Sequence, residues 1–244
     1  MTEILSFQIV DIISDDIPND KNEKSFIITL YGIDSHGSRI VCHVKRYNPY
    51  FYIKVPNTWD SSDTQCLLKD VCGLTPSTDP SYNIFSQIKS TELCFHKEFY
   101  GVRWNHNDHD IQIFNFLKIS MNTHDAVKKM VQAIKKHFNM NTITFSKLTM
   151  PAKDRLSEWR NTPTSVDCES NLYESSIHPI IKFIHDTKID PTGWVSCIAT
   201  DEQTNLFPTC KHEYFTQIND IKPLDKTELS SYRIASFDIE CDSS

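Results

Sequence analysis

The chain has 244 residues, 39% of them hydrophobic and 23% charged, and a formal net charge of −7. That balance excludes a disordered chain and suffices for one or two domains with sizeable cores. The acidic excess counts against a dedicated nucleic-acid-binding module, since phosphate neutralisation leaves a basic footprint, although local basic patches stay open to that role. No apolar run approaches the ~20 residues a membrane helix needs, and Met1-Thr2-Glu3 does not open a secretory signal. Eight cysteines at irregular spacing, none in a Cys-x-x-Cys pair, indicate a reducing intracellular setting. Five glycines without a phosphate-cradling arrangement argue against nucleotide binding by this segment.

Residues 4–13 mix alternation with β-branched side chains and predict a strand, followed by a polar turn over 15–24. Residues 25–33 and 39–44 predict a hairpin whose turn uses Gly37 at positive φ, and 50–55 predicts a third run. Asp60, Ser61 or Ser62 can cap a helix carrying Leu67, Leu68 and Val71, with Gly73 at its end. Strand patterns follow at 84–95 and 113–120. Thr123 can cap a second helix with Val127, Met130, Val131, Ile134 and Phe138 on one face. A strand at 142–145 would complete β-α-β-β-α-β, the ferredoxin-like order.

Lys128, Lys129, Lys135 and Lys136 lie on or near the outer side of that second helix. They are candidates for phosphate contact, against the plainer reading of a solvated face. Tyr47, Tyr50, Phe51 and Tyr52 could stack on bases, but alternation sends half of them inward, and core packing is the favoured expectation. Cys210-x-His212 and the 106–110 loop lack the repeated spacing of a four-ligand metal site.

Residues 151–168 read as a connector. Ile177, Ile180, Ile181 and Ile184 predict one face of a third helix, with Pro179 confined to its first turn or bending it. Strands at 195–200 and 214–218 are expected to return to the first sheet. In the last run, residues 232–241, the period of two places Ser236, Asp238 and Glu240 on one face. Adjacent buried carboxylates are costly, and a divalent cation resolves the conflict. Hard oxygen donors at this spacing suit Mg²⁺ or Mn²⁺. An isolated Asp-x-Glu equally marks a strand end running into solvent.

Ser236-Phe237-Asp238-Ile239-Glu240-Cys241 resembles the first motif of the 3′–5′ proofreading exonuclease domain of family B DNA polymerases, closest to delta-type enzymes including those of large DNA viruses. The strings from Leu30-Tyr31-Gly32 to Tyr52, Phe99-Tyr100-Gly101 with Phe116-Leu117-Lys118-Ile119, and Tyr173-Glu174-Ser175 with Gly193-Trp194-Val195 resemble other parts of the same N-terminal region. The resemblance implies an α+β fold: a discontinuous OB-like barrel with an inserted ferredoxin-like unit, ending in the first strand of a ribonuclease-H-like exonuclease domain. The expected boundaries are 1–55 for the first barrel part, 56–168 for the inserted unit and connector, 169–230 for the helix and second barrel part, and 231–244 for the incomplete exonuclease start.

The resemblance also implies a scaffold and template-path segment of a replicative polymerase that synthesises and proofreads DNA. Asp238 and Glu240 would be metal-binding exonuclease residues of the full-length parent, with Mg²⁺ or Mn²⁺ there and none held tightly by this segment, which is expected to be inactive alone. Its partners would be the remaining exonuclease and polymerase domains, single-stranded template DNA and replication accessory proteins, at a nuclear or cytoplasmic viral replication site. The alternative is a separately encoded, non-catalytic subunit of a split polymerase.

Overall fold

The computed structural model describes residues 2–18, 23–73, 83–97, 113–141, 172–201 and 213–232. They form a mixed, sheet-dominated α+β fold. In chain order the elements are β1 (Thr2–Pro18), β2 (Lys24–Asp34), β3 (Arg39–Lys45), β4 (Tyr50–Val55), α1 (Ser61–Gly73), a 3₁₀ turn (Ile84–Gln87), β5 (Ile88–Lys97), β6 (Ile113–Met121), α2 (His124–Asn141), β7 (Leu172–Tyr173), α3 (Pro179–Thr187), β8 (Trp194–Asp201) and β9 (Glu213–Leu224). The chain divides into two compact units.

The first unit comprises Met1–Asp15, Ile27–Tyr47 and Ile180–Ser244. It contains a closed barrel with strand order β1-β2-β3-β9-β8. β3 and β9 run parallel, whereas β2–β3, β8–β9 and β1–β8 are antiparallel. Alternation sorts β1 as its composition dictates: Leu5, Phe7 and Ile9 are buried, and Ile4 and Val10 face outward. Phe7 lies opposite Val195 and Leu5 opposite Cys197, so the buried rows of β1 and β8 coincide. The β2–β3 turn is organised by Asp34, whose Oδ1 accepts from His36 N at 2.8 Å and Ser38 N at 2.7 Å, while Gly37 takes the expected positive φ of 82°.

Helix α3 departs from the expected pattern. Ile181 is 60% exposed and Ile177 40%, whereas Phe183 is fully buried, with Pro179 and Lys182 beside it. Pro179 occupies the first helical position, so Ile177 lies outside the helix altogether. The inward face is set by Tyr47, whose ring meets Phe183 edge-on at 5.4 Å and whose hydroxyl donates to Asp186 Oδ2 at 3.3 Å.

The second unit comprises Asp16–Phe26 and Asn48–Pro179. Its four-stranded sheet has the order β5-β6-β4-β7, with every neighbouring pair antiparallel. One face carries Phe51, Ile53, Val55, Leu117, Ile119 and Met121, which pack with Leu67, Leu68 and Val71 of α1 and Val127, Met130, Val131 and Ile134 of α2. Both predicted helical stripes therefore form this core; the Phe138 side chain is outside the described residues. Residues 84–87 are a 3₁₀ turn rather than the start of a strand, capped by Asn83 Oδ1, which accepts from Phe85 N at 2.9 Å. The expected strand at 142–145 is outside the described residues, and the strand that pairs with the free side of β4 is Leu172–Tyr173.

The helix starts are satisfied by side chains. Asp60 Oδ1 accepts from Ser62 N and Asp63 N at 2.8 and 3.2 Å, and Asp63 Oδ2 accepts back from Asp60 N at 3.0 Å. At α2, Thr123 Oγ1 accepts from Ala126 N at 3.1 Å, and the Asp16 carboxylate accepts from His124 N and Asp125 N at 2.9 and 3.1 Å. Asp60→Ala is expected to cost about 1–2 kcal/mol, read as a lower urea midpoint, because it strips an N-cap and its reciprocal bond together.

In the barrel, His43 is buried and hydrogen-bonded through Nδ1 to Thr29 Oγ1 at 2.9 Å. Burial pushes its pKa down; the Glu213 charge opposes this and Lys45 adds to it. The unfolded chain takes up this proton below about pH 6.5, and the native barrel only at lower pH. Stability should therefore fall as pH drops through that interval and be insensitive to this group above it. Urea midpoints measured from pH 8 to 5 should decline less steeply below 6.5 in His43→Gln than in the parent chain.

Candidate functional site

Asp238 and Glu240 are outside the described residues, but the segment leading to them is held by identifiable contacts within the first unit. After β9, the Trp194 indole Nε1 donates to Glu228 O at 2.6 Å, and Lys226 Nζ lies 3.6 Å from the centre of the Trp194 ring. Gln8 bridges two neighbours: Nε2 donates to Thr192 O at 3.1 Å and Oε1 accepts from Ser230 N at 2.9 Å. Gln8 and Ser230 are both buried. The polar alternation of β1 would leave Gln8 in water; main-chain groups of Thr192 and Ser230 engage it instead.

The turn beneath this anchor is built from Asp190, which accepts from Thr192 N at 3.1 Å and, through its carbonyl, from Gly193 N at 3.0 Å. Gly193 is needed there, because a Cβ would sit 2.6 Å from Asp190 Cβ. The string around Gly193-Trp194 thus ties down the approach to the carboxylate motif.

Among the described residues no group of three or more His, Cys, Asp or Glu side chains is placed to hold a metal ion. Asp238 and Glu240, the carboxylates that the sequence singles out, would supply hard oxygens of the kind Mg²⁺ and Mn²⁺ take. Cys42, Cys66, Cys72, Cys94 and Cys197 are free thiols. Burial pushes the Cys72 thiol up to about 11, which makes it a poor ligand and nucleophile near neutrality.

The four α2 lysines differ in exposure and pairing. Lys128 and Lys136 are exposed, Lys135 is half-buried, and Lys129 Nζ pairs with Asp125 Oδ2 at 2.8 Å one turn earlier. Of the aromatics, Tyr47, Tyr50 and Phe51 are buried as core packing requires, whereas Tyr52 is half-buried on the sheet face turned away from α1 and α2.

That face carries a cluster of aromatic and basic side chains. Tyr50, Tyr52 and Lys54 of β4 share it with Phe114, Phe116 and Lys118 of β6, with His96 of β5 and with Tyr173 of β7. Registry sets Lys118 opposite Tyr52, Phe116 opposite Lys54, His96 opposite Phe114 and Tyr173 opposite Tyr52. Phe116 meets Tyr173 at 5.1 Å and Tyr52 at 6.3 Å, both edge-to-face, while Tyr52 meets His96 at 5.6 Å. The available sequence signal is a repeated aromatic-x-aromatic-x-Lys string, Tyr50-x-Tyr52-x-Lys54 and Phe114-x-Phe116-x-Lys118. Its meaning depends on the pairing of the two strands.

The family model for the exonuclease domain of DNA polymerase family B matches residues 170–244. Along nearly its whole length the chain is similar to DNA polymerases: 28% identity to the enzyme of Phaeocystis pouchetii virus over 92% of this chain and 20% of the relative. It is 23% identical to the DNA polymerase delta catalytic subunit of Plasmodium falciparum, over 92% of this chain and 19% of that protein. The fold is similar to the family B DNA polymerase of Pyrobaculum calidifontis, with a TM-score of 0.55, 16% identity and coverage of 94% of this chain and 21% of that one. The chain thus spans about a fifth of the length of the curated viral relative, and it matches the N-terminal and first exonuclease region of family B DNA polymerases.

Proposed function

We propose that the chain is the N-terminal scaffold and template-path segment of a replicative family B DNA polymerase. The observation that carries this reading is the similarity over more than nine-tenths of the chain, together with an Asp-x-Glu motif lying within the exonuclease-domain match. The finer architecture follows the same reading. A five-stranded barrel in the order β1-β2-β3-β9-β8, with a parallel β3–β9 pair, supports an OB-like assignment. The order β5-β6-β4-β7 with α1 and α2 packed on one face supports a ferredoxin-like unit inserted into it. The expected limits 1–55, 56–168 and 169–230 are adjusted in this proposal, because β4 and β7 pair within the four-stranded sheet and go with the second unit, while 231–244 is kept as the incomplete exonuclease start.

In the parent enzyme Asp238 and Glu240 would hold Mg²⁺ or Mn²⁺, which when bound supplies an activated water and charge stabilisation for phosphodiester hydrolysis. The part played by this chain would be to supply the two carboxylates, downstream in sequence of the segment fixed by Trp194 and Gln8. Further exonuclease carboxylates and the polymerase active site would come from the rest of the parent.

The test is to express the full-length parent and assay it on a primed template with a matched or a mismatched 3′ end. Template-directed extension and preferential removal of the mismatch are expected. A parent that neither extends nor trims would overturn the reading, as would nuclease activity from the 244-residue chain alone that disappears in Asp238→Ala.

A further inference from the structure

We propose that the aromatic and lysine face of the β5-β6-β4-β7 sheet binds single-stranded DNA. The two aromatic-x-aromatic-x-Lys strings lie on neighbouring antiparallel strands, so each lysine of one falls opposite a ring of the other: Lys118 opposite Tyr52, and Lys54 opposite Phe116. Along each strand two rings are followed by a lysine, and because the strands are antiparallel the two lysines fall on a diagonal, each beside a ring of the neighbouring strand. Tyr173 extends this lattice on one side and His96 on the other. Phe116, only 3% exposed, is the floor, and the half-buried Tyr52 and Tyr173 and the exposed His96 surround it.

The chemistry of this lattice selects its ligand. Rings accept bases on their faces regardless of sequence, and lysines between them meet the phosphates that link those bases. The ammonium groups already sit against rings, with Lys118 Nζ 4.1 Å from the Tyr50 centre and Lys54 Nζ 3.8 Å from that of Phe114. A base that stacks can displace an ammonium from a ring, and the displaced charge is then within reach of the adjoining phosphate. Glu92, directly opposite Lys118 on β5, bounds the face at that end and disfavours a phosphate there. A duplex offers its bases only at the edges, so this surface favours an unpaired strand. An apolar protein helix would have to bury both lysines against it, a costly desolvation.

This inference deepens the proposed function and rests on it only for the identity of the strand as template. Its test therefore uses the 244-residue chain without any polymerase assay. A fluorescent 12-nucleotide thymidylate probe is titrated by anisotropy across a range of salt, and an iododeoxyuridine version is photocrosslinked and mapped by mass spectrometry. Crosslinks are expected in Tyr52 or Tyr173. Tyr173→Leu should weaken binding about tenfold or more, the scale of losing one stacked base. Lys118→Gln should lower the slope of log affinity against log salt by about 0.7, the value for one phosphate contact on a single strand. Thermal unfolding of each variant checks that it folds, and Lys54→Gln replaces Tyr173→Leu if that protein does not. Crosslinks confined to the α2 peptide would overturn the inference, as would equal affinity for a duplex of the same length. Unchanged binding in both variants, or tenfold preference for the matching oligoribonucleotide, would also overturn it. Failure here beside a parent enzyme that extends and trims primers would remove this inference alone and leave the proposed function standing.

Discussion

Gly32→Ala is expected to destabilise the barrel by about 3 kcal/mol, at or beyond the upper end of ordinary overpacking changes. Gly32 lies on β2 where it passes β1, and an added Cβ would collide with Phe7 Cδ2, approach Phe7 Cε2 to 3.0 Å, and come within 2.6 Å of the Gln8 carbonyl oxygen. Phe7 is fully buried opposite Val195, so its ring has no empty volume into which to rotate. The Gln8 carbonyl belongs to the backbone and cannot retreat without moving β1 as a whole. That strand also carries the Gln8 side chain that tethers residues 192 and 230, so its displacement would loosen the approach to the carboxylate motif too. For a domain whose total stability is about 5–15 kcal/mol, such a loss is large. Chemical denaturation of the chain should show a lower midpoint. Adding Phe7→Leu should recover only part of it, because the smaller side chain relieves the ring contact and leaves the carbonyl contact in place. Full recovery would mean that the backbone contact costs nothing, contrary to this account.

The same strand shows where sequence reasoning succeeds and where it stops. Leu5, Phe7 and Ile9 announce their burial by alternation alone, and the caps at Asp60 and Thr123 and the turn at Gly37 follow from local chemistry that needs no partner. Gln8 obeys the same alternation yet is buried, because main-chain groups of Thr192 and Ser230 engage it. Leu172–Tyr173 is too short to have a detectable period and becomes a strand only by pairing with β4. The isoleucines near α3 suggest a helical stripe, but Pro179 fixes where the helix starts and Tyr47 fixes which side faces inward. In the candidate site, charge and period single out Asp238 and Glu240 in the sequence, and both residues lie outside the described ones. The anchoring of its approach by Trp194 is a contact with a main-chain carbonyl, and residue types carry no trace of it. The sheet lattice lies between these cases: each Tyr-x-Tyr-x-Lys or Phe-x-Phe-x-Lys string is visible, and only the register turns two strings into one surface.

In the full-length parent, Asp238→Ala is expected to lower excision of a mismatched 3′ nucleotide by at least a hundredfold while leaving extension of a matched primer within about twofold of normal. The magnitude follows from the role proposed for the residue. Removing a group that merely orients a metal ligand costs about 10–100-fold in metal affinity or activity, so removing a ligand itself should cost no less. Glu240 cannot take over both donor positions, because removing Asp238 leaves one carboxylate where the proposed site uses two. Glu240→Gln should produce a similar loss for a different reason: the amide keeps the size of the side chain and one oxygen donor but loses the negative charge that favours a divalent cation. Extension should survive both changes, because the proposed polymerase active site draws on no residue of this chain. Asp225→Asn, an exposed carboxylate beyond β9, is the matched control and should leave both activities intact. Single-turnover rates on matched and mismatched primers would separate these outcomes. Equal loss of extension and excision in Asp238→Ala would point to a structural role for the strand, and unchanged excision would remove Asp238 from the reaction.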